Sequence, residues 1–198
     1  GFLPFLVDAT RTTFRSFWGQ FGWMGVVLDA RIYQALAIFT ALTVYGAFWR
    51  LFEALDGGMD PRQRDALIVL ATSALITVAL YVGYNLTFVQ HQGRYLFPAL
   101  PLFALAAALG WERLARQRLA VTTAMGLLFV LVVLGVTGLV TGDPALWPMV
   151  ILAVTLVGLP LLAFLPEKWY GLAIVMALFG LVALDFCSPS RFIVPIFA

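Results

Sequence analysis

The stretch ALIVLATSALITVALYVGYNLTF, residues 66–88, decides which class of fold to expect. None of its side chains carries a formal charge, and most of them are aliphatic. The hydrocarbon core of a bilayer requires about 20 such residues in a helix that rises about 1.5 Å per residue. Because hydrocarbon offers no water to the backbone, a run of this kind spans a membrane as a helix. We therefore predict a transmembrane helix over 66–88.

The composition of the whole chain points the same way. Of its 198 residues, 63% are hydrophobic and 11% are charged, against roughly 25% charged residues in a soluble domain. A soluble fold of this length cannot bury so much apolar surface, so membrane lipid is the expected surroundings. The net charge of +2 and the dispersed arginines give no basis for nucleic-acid binding. One histidine and one cysteine form no metal-ligand set, and no cofactor is predicted.

The predicted fold class is all-α, a polytopic transmembrane helix bundle of about six spans preceded by an amphipathic interfacial helix. Residues 1–30 form the preceding segment on the outer face, and residues 31–198 form the bundle. The predicted spans are 32–52, 66–88, 95–111, 120–141, 148–165 and 169–187.

An aromatic pattern marks the segment that precedes the first span. Four aromatic residues recur at i, i+3, i+4 and i+7, which places them on one face of a helix. They are Phe14, Phe17, Trp18 and Phe21. Arg11 and Arg15 lie along the border of this face, as in helices that rest in the membrane interface. Two interpretations stay open: the helix holds the first span in place, or it covers a lipid-facing groove as a lid.

The distribution of basic residues predicts the orientation in the membrane. Seven of them lie at one set of helix ends: Arg50, Arg62, Arg64, Arg113, Arg116, Arg118 and Lys168. The opposite inter-helix loops hold Arg94, with Arg31 at the start of the first span and Arg191 after the last. This predicts a multi-pass protein of the plasma (inner) membrane, with 53–65 and 112–118 cytoplasmic and 88–95 and 141–147 outside.

The loop FVQHQGRYLFPALP, residues 88–101, holds an isolated cation between two apolar runs. Arg94 stands just before the predicted third span, whose first free N–H groups would carry the positive end of the helix dipole. These groups belong to Tyr95, Leu96 and Phe97. A guanidinium beside a helix N-terminus suits an anion, and phosphate in particular. Gly93 would let such a ligand approach the backbone.

Several polar residues surround this predicted anion site. His91, Gln90 and Gln92 would add hydrogen-bonding groups to its rim. Ser73, Thr77, Tyr81 and Asn85 recur every four residues and draw a polar stripe towards the loop. The alternatives are structural: Arg94 extends to lipid headgroups, His91 is solvated, and the stripe supplies hydrogen bonds between helices.

Two sequence elements resemble a family of bacterial polytopic proteins of unassigned function. They are SFWGQFGWMG at 16–25 and QGRYLFPALP at 92–101, which match the patterns SFWGxFGW and QGRYLxPxxP. That family is similar to the GT-C membrane glycosyltransferases, which include the protein O-mannosyltransferase and aminoarabinose transferase types. The resemblance covers roughly residues 14–110, and the chain looks like a C-terminal portion of such a protein.

The resemblance implies transfer of a sugar from a polyprenyl-phosphate donor at the outer face. It implies a lipid-phosphate contact at Arg94 and Tyr95, with Gln92, His91 and Asn85 beside them. It carries over no catalytic residue, because the essential acid of that class lies in a first outer loop and the surroundings of Asp8 do not match it. The alternative function is a non-catalytic structural or accessory subunit that contacts partner membrane subunits in a larger complex.

Overall fold

The computed structural model describes residues 2–21, 25–88, 90–164, 166 and 169. Helices dominate this part of the chain, which also contains one short antiparallel hairpin. The elements in chain order are α1 Phe2–Gly19, β1 Gln20–Phe21, β2 Val26–Val27, α2 Ala30–Asp56, α3 Pro61–Thr87, a 3-10 helix Gly93–Ala99, α4 Leu100–Leu114, α5 Gln117–Thr141 and α6 Leu146–Phe164.

Five helical segments in the described residues are long and apolar enough to cross a membrane. They are Ala30–Asp56, Pro61–Thr87, Gly93–Leu114, Arg118–Thr141 and Leu146–Phe164. The protein is therefore a multi-pass membrane protein, and the predicted all-α bundle is confirmed. The predicted sixth span, 169–187, lies outside the described residues apart from its first position.

The helices are longer than the predicted spans, and the loops between them are correspondingly shorter than predicted. Asp29 accepts a hydrogen bond from the Arg31 amide at 2.8 Å, so α2 begins two residues before the predicted start. Asp60 accepts one from the Arg62 amide at 3.1 Å, and Pro61 occupies the first turn of α3. These side chains satisfy amides that a helix start leaves unpaired. The arginine next to each cap is thereby part of the helix.

Short loops make consecutive helices antiparallel, so the bundle has two distinct ends. At one end the Arg31 guanidinium lies 4.2 Å from the Trp147 ring centroid, which brings the starts of α2 and α6 together. We call this the α1 end, because α1 and the 88–92 loop also lie there. At the opposite end, which we call the Glu53 end, the Glu53 carboxylate pairs with Arg113 of α4. The 88–95 and 141–147 segments therefore share one end, opposite to 53–65 and 112–118.

The most extensive helix contact joins α2 to α4. Gly46 faces Gly110, and a Cβ at Gly46 would lie 2.8 Å from the Gly110 carbonyl carbon. The Trp111 indole donates a hydrogen bond to the Thr43 hydroxyl at 2.9 Å beside this crossing. Nε of Arg113 lies 2.8 Å from both carboxylate oxygens of Glu53. The buried core around the crossing contains Leu42, Leu114, Leu119, Ala120, Leu159 and Ala163.

The aromatic face of α1 packs against other helices. The Phe17 ring lies 5.8 Å from that of Phe97 and 6.0 Å from that of Phe103, both edge-to-face. The Trp18 ring meets Phe39 of α2 in the same geometry at 6.0 Å. Edge-to-face aromatic contacts of this kind stabilise a docked helix beyond the area they bury. Phe17 and Trp18 thus join α1 to the third and first spans, and both interpretations of the segment, anchor and lid, stay predictions.

The predicted helix face was wrong at its last position. α1 ends at Gly19 and Phe21 lies in β1, so Phe21 does not share the face of Phe14, Phe17 and Trp18. The Tyr33 hydroxyl donates a hydrogen bond to the Gly19 carbonyl at 2.6 Å and accepts one from the Leu28 amide at 3.2 Å. These two bonds pair a backbone carbonyl at the end of α1 and a backbone amide just before α2. They thereby fix the position of the hairpin between the two helices.

Candidate functional site

The predicted anion site lies at the α1 end, where a 3-10 helix, Gly93–Ala99, opens the third span. Two of its first three amides already have partners inside the protein. The Gly93 amide donates to the Ser16 hydroxyl at 2.6 Å, and the Tyr95 amide donates to the Gln92 carbonyl at 3.2 Å. The prediction that the Tyr95 amide is free to meet an anion was therefore wrong. The Ser16 hydroxyl is the acceptor of the Gly93 amide, and the Gln92 carbonyl is that of the Tyr95 amide.

Gly93 makes room for α1. A Cβ at this position would lie 2.5 Å from the Phe17 amide nitrogen and 2.6 Å from the Phe17 Cβ, and would also overlap the Thr13 carbonyl oxygen. Real Cβ atoms do not approach backbone atoms so closely. The predicted role of Gly93, a gap for a ligand, was wrong. The gap admits the backbone of α1, which covers the start of the third span.

Arg94, the cation of the predicted anion site, is exposed. Its guanidinium carbon lies 5.6 Å from the centroid of the Tyr95 ring. No carboxylate in the described residues lies within ion-pair distance of it. A guanidinium held over an aromatic ring keeps its donors free for an oxyanion. Arg94 and Tyr95 therefore lie in contact on the exposed surface, and their predicted contact with a lipid phosphate stays a prediction.

A chain of hydrogen bonds links three polar residues at the end of α3 and in the loop that precedes Arg94. The buried Asn85 side chain accepts from the Gln90 amide at 3.1 Å and donates to the Tyr81 carbonyl at 2.9 Å. The Tyr95 hydroxyl lies 3.4 Å from Oε1 of Gln90, close to the limit for a hydrogen bond. Asn85 thus ties the end of α3 to the loop, and its polar groups are occupied by the backbone.

Gln92 and His91 occupy different surroundings within the same loop. Gln92 is buried, with 8% of its surface exposed, and its Oε1 has no hydrogen-bond donor among the described residues. An acceptor left unpaired in this way costs about 1–3 kcal/mol, so a donor from a ligand would relieve it. The His91 ring packs edge-on against Phe5 of α1, with 5.3 Å between centroids. His91 therefore contacts α1 rather than Arg94.

The polar stripe of α3 divides into two parts. The Tyr81 hydroxyl shares a 2.5 Å hydrogen bond with the Thr13 hydroxyl of α1, so the upper part joins helices. Thr77 donates to the Ser73 carbonyl at 2.9 Å within α3 itself, and Ser73 is exposed. The upper part therefore forms a hydrogen bond between helices, as the structural alternative proposed. In the lower part, the Thr77 hydroxyl bonds within α3 itself.

Sequence reasoning missed Thr13 and Ser16, the two hydroxyl residues that fasten α1. Their partners lie 68 and 77 residues further along the chain. Each hydroxyl also bonds the carbonyl four residues before it, a local role that any helical Ser or Thr can fill. No pattern in the linear sequence distinguishes the two roles, so the signal exists only in the folded chain.

Comparison of the chain with family models, with curated proteins and with solved structures finds no match. In the described residues, no group of three or more His, Cys, Asp or Glu side chains could hold a metal ion.

Proposed function

We propose that this chain is the C-terminal part of a GT-C-like membrane glycosyltransferase and binds a polyprenyl-phosphate-linked sugar at its α1 end. Arg94 contacts the phosphate, and Tyr95 supports the guanidinium from below. The observation that carries the proposal is the exposed Arg94 guanidinium, which no carboxylate of the described residues neutralises. Arginine can offer a phosphate two parallel N–H donors in one plane.

One neighbour of Arg94 supports a phosphate-linked sugar over a bare anion, and a second braces the ring beside it. The Gln92 Oε1 is a buried acceptor without a donor in the described residues, and a sugar hydroxyl is a donor. The Tyr84 ring stands 6.0 Å from the Tyr95 ring and braces it in an edge-to-face contact. The element that carries Arg94 is therefore held on two sides, by α1 and by α3.

The proposal includes an orientation in the plasma (inner) membrane. The α1 end lies outside, with 88–95 and 141–147, and the Glu53 end lies in the cytoplasm, with 53–65 and 112–118. The positive-inside rule supports it, although Arg11 and Arg15 belong to the α1 end and reduce the difference. Among the described residues the Glu53 end holds Arg50, Arg62, Arg64, Arg113, Arg116 and Arg118, and the α1 end holds Arg11, Arg15, Arg31 and Arg94.

No catalytic residue of the transfer reaction is assigned to this chain. The resemblance implies an acid in a first outer loop, and the described residues contain no cluster of acids at the α1 end. Asp8 is exposed on α1. In this proposal the chain supplies the lipid-phosphate contact, and the acid that activates the acceptor comes from another part of the full protein.

The test is binding of a polyprenyl phosphate to the purified chain in nanodiscs, with Arg94→Ala as the variant. Hydrogen bonds to a charged group contribute about 1.5–3 kcal/mol, so the dissociation constant should rise about tenfold to a hundredfold. Arg62→Ala is the matched control, because Arg62 is also exposed but lies at the Glu53 end. Equal affinities of wild type and Arg94→Ala, with both proteins folded, would remove the proposal.

One observation favours the second candidate, a structural or accessory subunit. In this chain α3 buries little of its length and meets its neighbours mainly through the 3-10 helix at the α1 end. Its apolar faces are available to partner membrane subunits or to lipid. This candidate predicts that the Arg94→Ala and Arg62→Ala variants bind polyprenyl phosphate alike, and that α3 becomes protected from lipid-soluble probes when the partner is present.

A further inference from the structure

A second feature of the α1 end is a groove between α1 and α2, distinct from the surroundings of Arg94. Its volume is about 300 Å³. One wall belongs to α1 and the other to the start of α2. The lining residues are Arg11, Phe14 and Arg15 on α1, with Ala30, Tyr33, Gln34 and Ala37 on α2.

Two cations of this groove lie one helical turn apart on the same wall. Neither Arg11 nor Arg15 has a carboxylate within ion-pair distance among the described residues. The Arg15 guanidinium carbon lies 5.2 Å from the Tyr33 ring centroid, so the second wall positions it. Two like charges at i and i+4 repel each other. An anion between them removes that repulsion, and the groove therefore favours an anionic group.

The opposite wall offers one acceptor without a donor. Oε1 of Gln34 is buried, and no hydrogen-bond donor of the described residues reaches it. Burial of an unpaired acceptor is unfavourable, and a phosphate cannot relieve it because a phosphodiester has no hydrogen to donate. The ligand that suits this groove therefore carries an anionic phosphate for the arginines and a hydroxyl or N–H group for Gln34.

The groove continues into an apolar depression on α1. Leu6, Val7 and Thr10 line this depression, and it shares Arg11 and Phe14 with the groove. The shared residues place an apolar path directly beside the Arg11 guanidinium. A ligand with an acyl chain next to its phosphate can occupy both parts, whereas a soluble phosphate ester fills the groove alone.

We infer that this groove binds the headgroup of an anionic membrane phospholipid, and that the lipid is phosphatidylglycerol. Its phosphodiester faces Arg11 and Arg15, a glycerol hydroxyl donates to Gln34, and an acyl chain follows the depression past Leu6. Phosphatidylcholine has no donor for Gln34, and its cation would lie beside two guanidinium groups. Phosphatidylethanolamine has donors, but its ammonium is repelled in the same way. The inference requires the membrane and does not depend on the glycosyltransferase proposal.

The test measures lipid binding to the folded chain by native mass spectrometry from nanodiscs or detergent, with phosphatidylglycerol and phosphatidylcholine as probes. Each arginine near an anionic lipid contributes about fivefold to its binding. The double variant Arg11→Gln with Arg15→Gln should therefore weaken phosphatidylglycerol binding about 25-fold. The matched control is Arg62→Gln with Arg64→Gln at the Glu53 end, which should retain the wild-type affinity. If the double variant of α1 fails to fold, Arg11→Gln alone, at an exposed position, should show the fivefold loss.

A second arm tests the donor to Gln34. Phosphatidylmethanol is an anionic phosphodiester without a headgroup donor, so the wild type should bind it more weakly than phosphatidylglycerol. Gln34→Leu should abolish this preference and retain binding to both lipids. A preference that survives in Gln34→Leu would remove the headgroup assignment.

Three outcomes would overturn the inference as a whole. The first is equal binding of phosphatidylglycerol and phosphatidylcholine to the wild type. The second is a loss of phosphatidylglycerol binding in the Arg62/Arg64 control equal to that in the Arg11/Arg15 variant. The third is displacement of bound phosphatidylglycerol by glycerol phosphate at the same concentration at which free phosphatidylglycerol displaces it. The last outcome would assign the groove to a soluble phosphate ester. Arg94→Ala should leave phosphatidylglycerol binding unchanged, so failure of the polyprenyl-phosphate proposal and failure of this inference are separate results.

Discussion

The contact between α1 and the start of the third span gives a sharp prediction for Gly93→Ala. The new Cβ would lie 2.5 Å from the Phe17 amide nitrogen and 2.6 Å from the Phe17 Cβ. Ordinary van der Waals contact begins at 3.4 Å, so α1 must move away by most of an ångström. The Gly93 backbone does not have a positive φ, so an alanine can adopt it and the effect is purely steric.

The cost follows from overpacking against backbone, which is about 1–3 kcal/mol. For a chain of 150–250 residues, each kcal/mol lowers the melting temperature by about 2–4 °C. We therefore expect thermal unfolding in detergent to begin about 2–12 °C lower in Gly93→Ala than in the wild type. The 2.6 Å bond between the Gly93 amide and Ser16 lengthens at the same time. The amides of α1 should consequently exchange with deuterium faster than in the wild type.

Gly83→Ala is the control, because a Cβ at Gly83 in α3 meets nothing within 4 Å. Replacement of a helical glycine by alanine should raise stability by about 0.5–1 kcal/mol. A Gly93→Ala protein with the melting temperature of Gly83→Ala, and with unchanged exchange in α1, would refute the docking of α1 on the third span.

Two further predictions concern the bundle and its orientation. Gly46→Ala should destabilise the protein by about 1–3 kcal/mol in the thermal unfolding assay, because its Cβ would meet the α4 backbone at 2.8 Å. Gly126→Ala is the control: its Cβ meets nothing within 4 Å, so this variant should be neutral or stabilising in the same assay. In a Cys187→Ala background, a membrane-impermeant maleimide applied to whole cells should label Asp143→Cys and leave Met59→Cys unlabelled, and the reverse pattern would invert the proposed orientation.

The sequence predicted the five spans of the described residues because each one requires only local information. An uninterrupted apolar run such as 66–88 has one stable state in hydrocarbon, a helix that satisfies its own backbone. The helix ends were predicted less well. Asp29 and Asp60 cap α2 and α3, and both signals were present in the sequence as an acid just before the helix. The predicted spans were bounded by hydropathy, which stops at the first charged residue even though the helix continues.

The candidate site shows where local information ends. Arg94 and Tyr95 are neighbours in the chain, so their association could be predicted. The partner of the Gly93 amide could not, because Ser16 lies 77 residues away and its position depends on how α1 packs. The groove of Arg11 and Arg15 is a similar case, since its second wall comes from α2.

The amino-acid sequence alone determined that this protein is a membrane protein, that its described spans are helices, and that consecutive spans alternate in direction. These properties follow from the transfer of side chains and backbone into hydrocarbon, residue by residue. Only the tertiary structure decided that α1 covers the start of the third span and that α2 and α4 approach through Gly46 and Gly110. It also decided which arginines of the described residues have no acid within ion-pair distance. Those outcomes depend on close contacts between distant segments, where the space for a single methyl group determines what can pack.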